Sequence, residues 1–259
     1  MPTADLGEVR INYELGGVED GPRVVYVSGS GSDLRRQPNA FATSLPTTCR
    51  VLAYDHRGLG QSTAGPRQPE MADFAADLLK LLDHVGWDTC RMLGVSFGGM
   101  VAQEAAVTEP RRFERVALAC TSPGGAGGAS YPLIELVDLT PAERVRIRVE
   151  ILDTRTRDNE GLRNALTAFM EGLGDVPATD GERAQLLARS RHDVWDRLGQ
   201  MTMPVLIAAG RYDGIAVPEN QTALLSRLPN AELRWYEGGH AFFVQDRTAD
   251  PALTAWLSA

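Results

Sequence analysis

Ser96 stands in Gly94-Val95-Ser96-Phe97-Gly98-Gly99, between the apolar run RML and the helical pattern MVAQEAAV. A serine at such a strand-to-helix turn is held in strained backbone geometry with its hydroxyl displayed. Gly94 and Gly98 leave room where a Cβ would collide with neighbouring backbone. The helix beginning beyond Ser96 points its positive end at the site, which favours negative charge developing there. A serine hydroxyl is a poor nucleophile at neutral pH, so it needs a base, and the base needs orienting. Of the four histidines, His240 lies in EGGHAFF, just after the last predicted strand, and Asp213 lies in GRYDGIAVP, just after the strand before it. Taken singly, a histidine in a glycine loop is usually solvated and an aspartate before glycine is usually a turn former. Three suitable residue types in order, each directly after a strand, predict a nucleophile (Ser96), a general base (His240) and its orienting carboxylate (Asp213).

Acyl transfer at a serine also needs donors for the oxyanion of the tetrahedral intermediate. The backbone N–H of Phe97 follows the nucleophile directly. A second N–H, that of Ser30, is expected from the loop Ser28-Gly29-Ser30-Gly31-Ser32-Asp33. This glycine-rich loop lacks the GxxxxGK[ST] lysine of a phosphate cradle.

The elements that would position these groups alternate along the chain. Val9–Leu15 alternates in character and suits an antiparallel edge region; Arg23–Gly29 is nearly continuously apolar, as a strand buried on both faces would be. Arg50–Asp55, Arg91–Ser96, Arg115–Thr121, Pro204–Gly210 and Ala231–Gly238 read as further strands. Helical patterns lie at Met71–Val85, Phe97–Thr108, Val217–Leu228 and Ala249–Leu257. This order predicts an α/β fold with a mostly parallel twisted sheet and helices on both faces. The rhythm breaks between residues 123 and 203, where four helical stretches, Pro141–Leu152, Gly161–Leu173, Gly181–Ser190 and His192–Gln200, occur without a convincing strand. An insertion of that length is too long for a simple connection. It is read as a helical cap over the ligand-binding end of the sheet, giving a core of residues 1–122 and 204–259 and a cap of residues 123–203.

These pieces carry a resemblance. YDHRGLGQS (Tyr54–Ser62), GVSFGG, the GRYDGIAVP acid loop and the GGHAFF histidine loop resemble the α/β-hydrolase superfamily along nearly the full chain. The chain looks most like small bacterial esterases and lactonases of the 3-oxoadipate enol-lactonase type. That resemblance implies the α/β-hydrolase fold and carboxylic ester chemistry with no metal or organic cofactor. One departure stands out: many relatives carry His-Gly where this chain has Ser28-Gly29, so the hydrogen bonds of that histidine are missing.

Other residues with reactive or charged side chains have competing readings. His56 reads as part of a structural turn with a buried polar network, and His84 as a surface group late in a helix. His192 and Trp195, three apart at the start of the last cap helix, share a face; they either reach the pocket and contact substrate or pin the cap to the sheet. Arg144, Arg146 and Arg148 alternate with apolar residues and read mainly as a solvated face, with a substrate carboxylate as the alternative.

Bulk properties narrow the rest. The chain has 259 residues, 43% of them hydrophobic and 23% charged, and a formal net charge of −8. That acidic balance argues against nucleic acid as a partner. Three scattered cysteines without a CxxC argue against disulfides or zinc and suit small buried hydrophobes. With no signal-like start and no run approaching the ~20 apolar residues of a membrane span, a cytoplasmic monomer or homodimer acting on a small molecule is expected. The leading expectation is hydrolysis of a small or medium carboxylic ester or lactone through an acyl-enzyme. The alternatives are a C–C bond hydrolase of a β-diketone-type substrate, and a non-catalytic ligand-binding protein that keeps the hydrolase pocket.

Overall fold

A computed structural model of the protein describes residues 1–172 and 178–259. Eight strands form one sheet: β1 (Thr3–Asp5), β2 (Arg10–Gly17), β3 (Arg23–Val27), β4 (Arg50–Tyr54), β5 (Cys90–Val95), β6 (Phe113–Ala119), β7 (Val205–Gly210) and β8 (Ala231–Tyr236). Their spatial order is β1-β2-β4-β3-β5-β6-β7-β8. β2 pairs antiparallel with β1 and β4, and every later pairing is parallel. The antiparallel region expected from Val9–Leu15 is therefore present, but β2 is second from the edge. The three-residue β1 outside it is too short to show a side-chain period.

Successive residues of a strand face opposite sides of a sheet, and this sheet is buried on both. Val25, Leu52, Met92, Val116 and Ile207 point into one core with α1 (Met71–His84) and α2 (Phe97–Thr108). Their neighbours Val24, Val51, Leu93, Ala117 and Leu206 point into the other, against the C-terminal helix Ala249–Ser258. All three cysteines are buried and unpaired with one another, as their apolar surroundings suggest.

Between β6 and β7 the described residues add no strand to the sheet. They form α3 (Pro141–Leu152), α4 (Glu160–Gly172), α5 (Asp180–Ser190) and several short 3-10 turns. α3 begins with a reciprocal cap: the Thr140 hydroxyl accepts from the Glu143 N–H at 3.4 Å, and the Glu143 carboxylate accepts from the Thr140 N–H at 3.1 Å. The two ends of the insert meet at its base, where Gly124 and Asp193 form an isolated antiparallel bridge and the Val194 N–H donates to the Pro123 carbonyl at 3.1 Å.

The last helix expected in the insert differs. His192–Gln200 is not one α-helix: a 3-10 helix starts only at Trp195 and runs to Gln200. The expected end of the Gly161–Leu173 stretch, Leu173, lies outside the described residues. Among the described residues, no helix is long and apolar enough to cross a membrane.

Candidate active site

Ser96 follows β5 and precedes α2, with φ 54° and ψ −114°. A positive φ is strained for a residue bearing a Cβ, so neighbours must hold it. They do so through its own peptide: its N–H donates to the Ala119 carbonyl at 2.8 Å, and its carbonyl accepts from the Thr121 hydroxyl at 2.8 Å. A Cβ at Gly98 would collide with the Val27 carbonyl oxygen, and one at Gly94 would lie 2.5 Å from the Gly98 carbonyl oxygen. The glycines of the motif therefore allow β3, β5 and α2 to approach closely enough to form the turn.

The expected partners converge on Ser96. His240 Nε2 lies 3.0 Å from Ser96 Oγ, and His240 Nδ1 lies 2.8 Å from Asp213 Oδ2. A carboxylate accepts only, so Nδ1 carries the proton and Nε2 is left to accept from the serine hydroxyl. The other oxygen of Asp213 accepts from the N–H groups of Ile215 at 2.7 Å and Ala216 at 2.9 Å. Asp213 is 2% exposed, so these bonds replace the water that its charge has lost.

Ser96 and His240 open into a cavity of about 590 Å³. Its floor includes Ser28, Gly29, Ser30 and Gly31 of the loop after β3. Its walls come from both parts of the chain: Tyr26, Leu34, Ile215, Phe243 and Val244 from around the sheet, and Leu152, Leu166, Phe169, Met170, Glu182 and Leu186 from the insert. Arg148 also lines it, whereas Arg146 pairs with Glu150 at 3.6 Å on the surface of α3.

The loop after β3 is held by a histidine from another loop. Nε2 of His56 lies 3.1 Å from the Ser28 carbonyl oxygen, which makes Nε2 the protonated nitrogen. The His56 ring meets Tyr54, Phe74 and Phe97 edge-on, with centroids 5.0, 5.9 and 5.3 Å away. Burial in this aromatic box pushes its pKa down to about 4, so it is neutral at pH 7. His56 thus joins the loop carrying Ser30 to Phe97, the residue after Ser96. The loop is further held by Asp55, which accepts from the Leu34 N–H at 2.7 Å, and by Gln185 of α5, which accepts from the Gly31 N–H at 3.0 Å. Only the structural role of the DHRGLGQS turn is legible in sequence; nothing there signals the contact with Ser28.

His192 and Trp195 do not line the cavity. His192 is buried at the base of the insert, where burial lowers its pKa to about 3. Trp195 packs on Gly127 and under the Arg227 guanidinium, 5.0 Å from its ring centroid. Their spacing of three would place them on one face only if a helix ran through both, and the helix starts at Trp195. Trp195 thus joins the insert to the core through Arg227, and neither residue lines the cavity, the first of the two roles open to them.

Known proteins place this geometry in a family. Residues 22–143 match the family model described as the alpha/beta hydrolase fold. RutD of Pseudomonas savastanoi pv. phaseolicola, named as a carbamate hydrolase, is 30% identical over 233 residues, covering 88% of this chain and 90% of its own. The 3-oxoadipate enol-lactonase 2 of Acinetobacter baylyi is 24% identical over 251 residues, covering 95% of this chain and 92% of its own. The solved enol-lactonase of Burkholderia xenovorans LB400 superposes with a TM-score of 0.77 at 21% identity, covering 98% of this chain and 97% of its own. The chain belongs to the α/β-hydrolase superfamily.

Proposed function

We propose that the protein is a serine hydrolase that cleaves a small or medium carboxylic ester or lactone through an acyl-enzyme, with residues 123–203 acting as a cap over the site. The observation that carries this reading is the unbroken hydrogen-bonded series Ser96–His240–Asp213 opening on a cavity walled largely by apolar side chains.

In the reaction, Ser96 Oγ attacks the substrate carbonyl carbon as its proton passes to His240 Nε2. Asp213, fixed by the two N–H groups at its other oxygen, stabilises the resulting imidazolium. The carbonyl electrons move onto oxygen, where the N–H groups of Phe97 and Ser30 act as donors. Collapse of the intermediate breaks the acyl–oxygen bond, and the leaving alcohol takes the proton from His240. Water then repeats the sequence: His240 accepts its proton, hydroxide adds to the acyl carbon, and Ser96 leaves with the proton returned.

The test is hydrolysis of short-chain aryl esters and labelling by a fluorophosphonate. The expected result is labelling of Ser96, with labelling and turnover both lost in Ser96→Ala while the thermal melt is retained. A folded protein whose Ser96 ignores the probe would point instead to a ligand-binding protein. Turnover of a vinylogous diketone without comparable ester turnover would point to C–C bond hydrolysis.

A further inference from the structure

The C-terminal carbonyls of an α-helix have no partners within the helix. In α3 two of them are used by the loops that carry the base and the acid. The Leu152 carbonyl accepts from the His240 N–H at 2.7 Å, and the Ile151 carbonyl accepts from the Gly214 N–H at 2.9 Å. Just beyond the helix, the Thr154 N–H donates to the Tyr212 carbonyl at 2.9 Å. The fit on the base side is tight: a Cβ at Gly239 would strike the Leu152 carbonyl oxygen.

Asp153 closes this junction. It is fully buried, and its carboxylate is gripped by Arg155, Nε to Oδ1 at 3.0 Å and Nη2 to Oδ2 at 2.7 Å. Oδ2 also accepts from Gln245 Nε2 at 2.9 Å, and Gln245 Oε1 accepts from the Gly239 N–H at 2.7 Å. The Gln245 amide can satisfy both neighbours in one orientation only, oxygen toward the N–H and nitrogen toward the carboxylate. The carboxylate of Asp153 therefore dictates which end of Gln245 meets the peptide next to His240.

We propose that Asp153 is a positioning residue for His240, acting through Gln245 on the Gly239–His240 segment, so that the helical insert sets the geometry of the catalytic base. The proposal rests on His240 being the base of the serine hydrolase proposed above. It gives the insert a role in the chemical step in addition to walling the cavity.

The donor–acceptor order supplies the test. Asp153→Asn turns one of two acceptors into an NH2, which meets either Gln245 Nε2 and Arg155 Nη2 or, turned over, Arg155 Nε and the Arg155 N–H; turning Gln245 over to relieve the first sets its own NH2 against the Gly239 N–H. Gln245→Glu alone sets two carboxylates against each other. Together the changes restore the order on the Gly239 side: the new amide at position 153 donates to one oxygen of the new carboxylate at position 245, while the other oxygen accepts from the Gly239 N–H, and Arg155 keeps its Nε contact to the remaining oxygen at position 153. With 4-nitrophenyl acetate and the full-length chain, each single variant is expected to lower kcat about tenfold with KM within about twofold, and to slow fluorophosphonate labelling of Ser96 in parallel. The double variant is expected to recover to within about threefold of the unsubstituted protein.

Full kcat in both single variants, or a double variant no better than the worse single one, overturns the proposal. Should Asp153→Asn fail to fold, Gln245→Met decides: it leaves the Asp153–Arg155 pair in place, and an unchanged labelling rate overturns the proposal. Failure of the hydrolase reading looks different, since the unsubstituted protein itself then shows neither labelling nor turnover.

Discussion

The helical insert meets the rest of the molecule in two ways. At the end of α3 it is stitched to the acid and base loops by main-chain hydrogen bonds and by a fully buried carboxylate. Along α4 no residue is buried, and its apolar residues Leu166, Phe169 and Met170 face the cavity, with Phe169 60% exposed. Directional bonds at α3 fix atoms within tenths of an ångström. Apolar contacts at α4 are non-directional and tolerate exchange of one side chain for another. Under the function proposed, one segment thus combines a rigid support for the chemistry with an adaptable surface for the substrate.

Gly239→Ala and Phe169→Ser separate these two junctions, against references that touch neither. Ser96→Ala removes the nucleophile and touches neither, so kcat should fall about 10³-fold or more in an ester assay while the melting temperature holds. Gly239→Ala attacks the α3 junction. Its new Cβ displaces the base loop from Leu152, and a shift of about 1 Å at His240 should cost about 100-fold in kcat on the smallest substrates.

Acid should loosen the fold through two buried histidines, one beneath the loop after β3 and one at the base of the insert. His56 and His192 have folded pKa values near 4 and 3, below the unfolded value of about 6.5, so both are neutral when native. A depressed histidine contributes stability that is present above pH 6.5 and is lost as the pH falls toward the folded value. At pH 5 each should cost up to about 2 kcal/mol in a denaturant titration, and His56→Phe should reduce the slope of stability against pH. The smallest effect belongs to α4. Phe169→Ser should raise KM for octanoate esters by about 3- to 10-fold, leaving acetate turnover and the melting temperature unchanged.

The comparison also marks what was legible in the sequence. The groups proposed to do chemistry sit at strand ends in short glycine-rich strings. Ser96, Asp213 and His240 could therefore be placed from residue type, order and local context, and the structure brings all three together. The supports were hidden because they join distant residues of ordinary type. Asp153 and Gln245 are 92 positions apart, and His56 and Ser28 are 28 apart, with no motif linking either pair. The role of His192 and Trp195 stayed open in the sequence because a spacing of three means a shared face only inside a helix, and the helix starts at Trp195. The short helix Phe242–Gln245, which carries Gln245 back over the base loop, is a single turn and too brief to show a period.

The end of α3 also bears on the order in which the molecule is built. Gly239, His240 and Gln245 lie near the end of the chain, whereas the carbonyls and carboxylate that receive them belong to residues 151–153. Contacts of such long sequence separation close late, because the entropy of the intervening loop must be overcome first. During synthesis the nucleophile's turn, made from β3, β5 and α2, can form while the base is still missing. The proposed hydrolytic centre is then completed in a single closing step, when the segment carrying residues 239–245 docks onto the end of α3. A nascent chain or a truncated copy would accordingly carry a formed Ser96 turn that lacks its base.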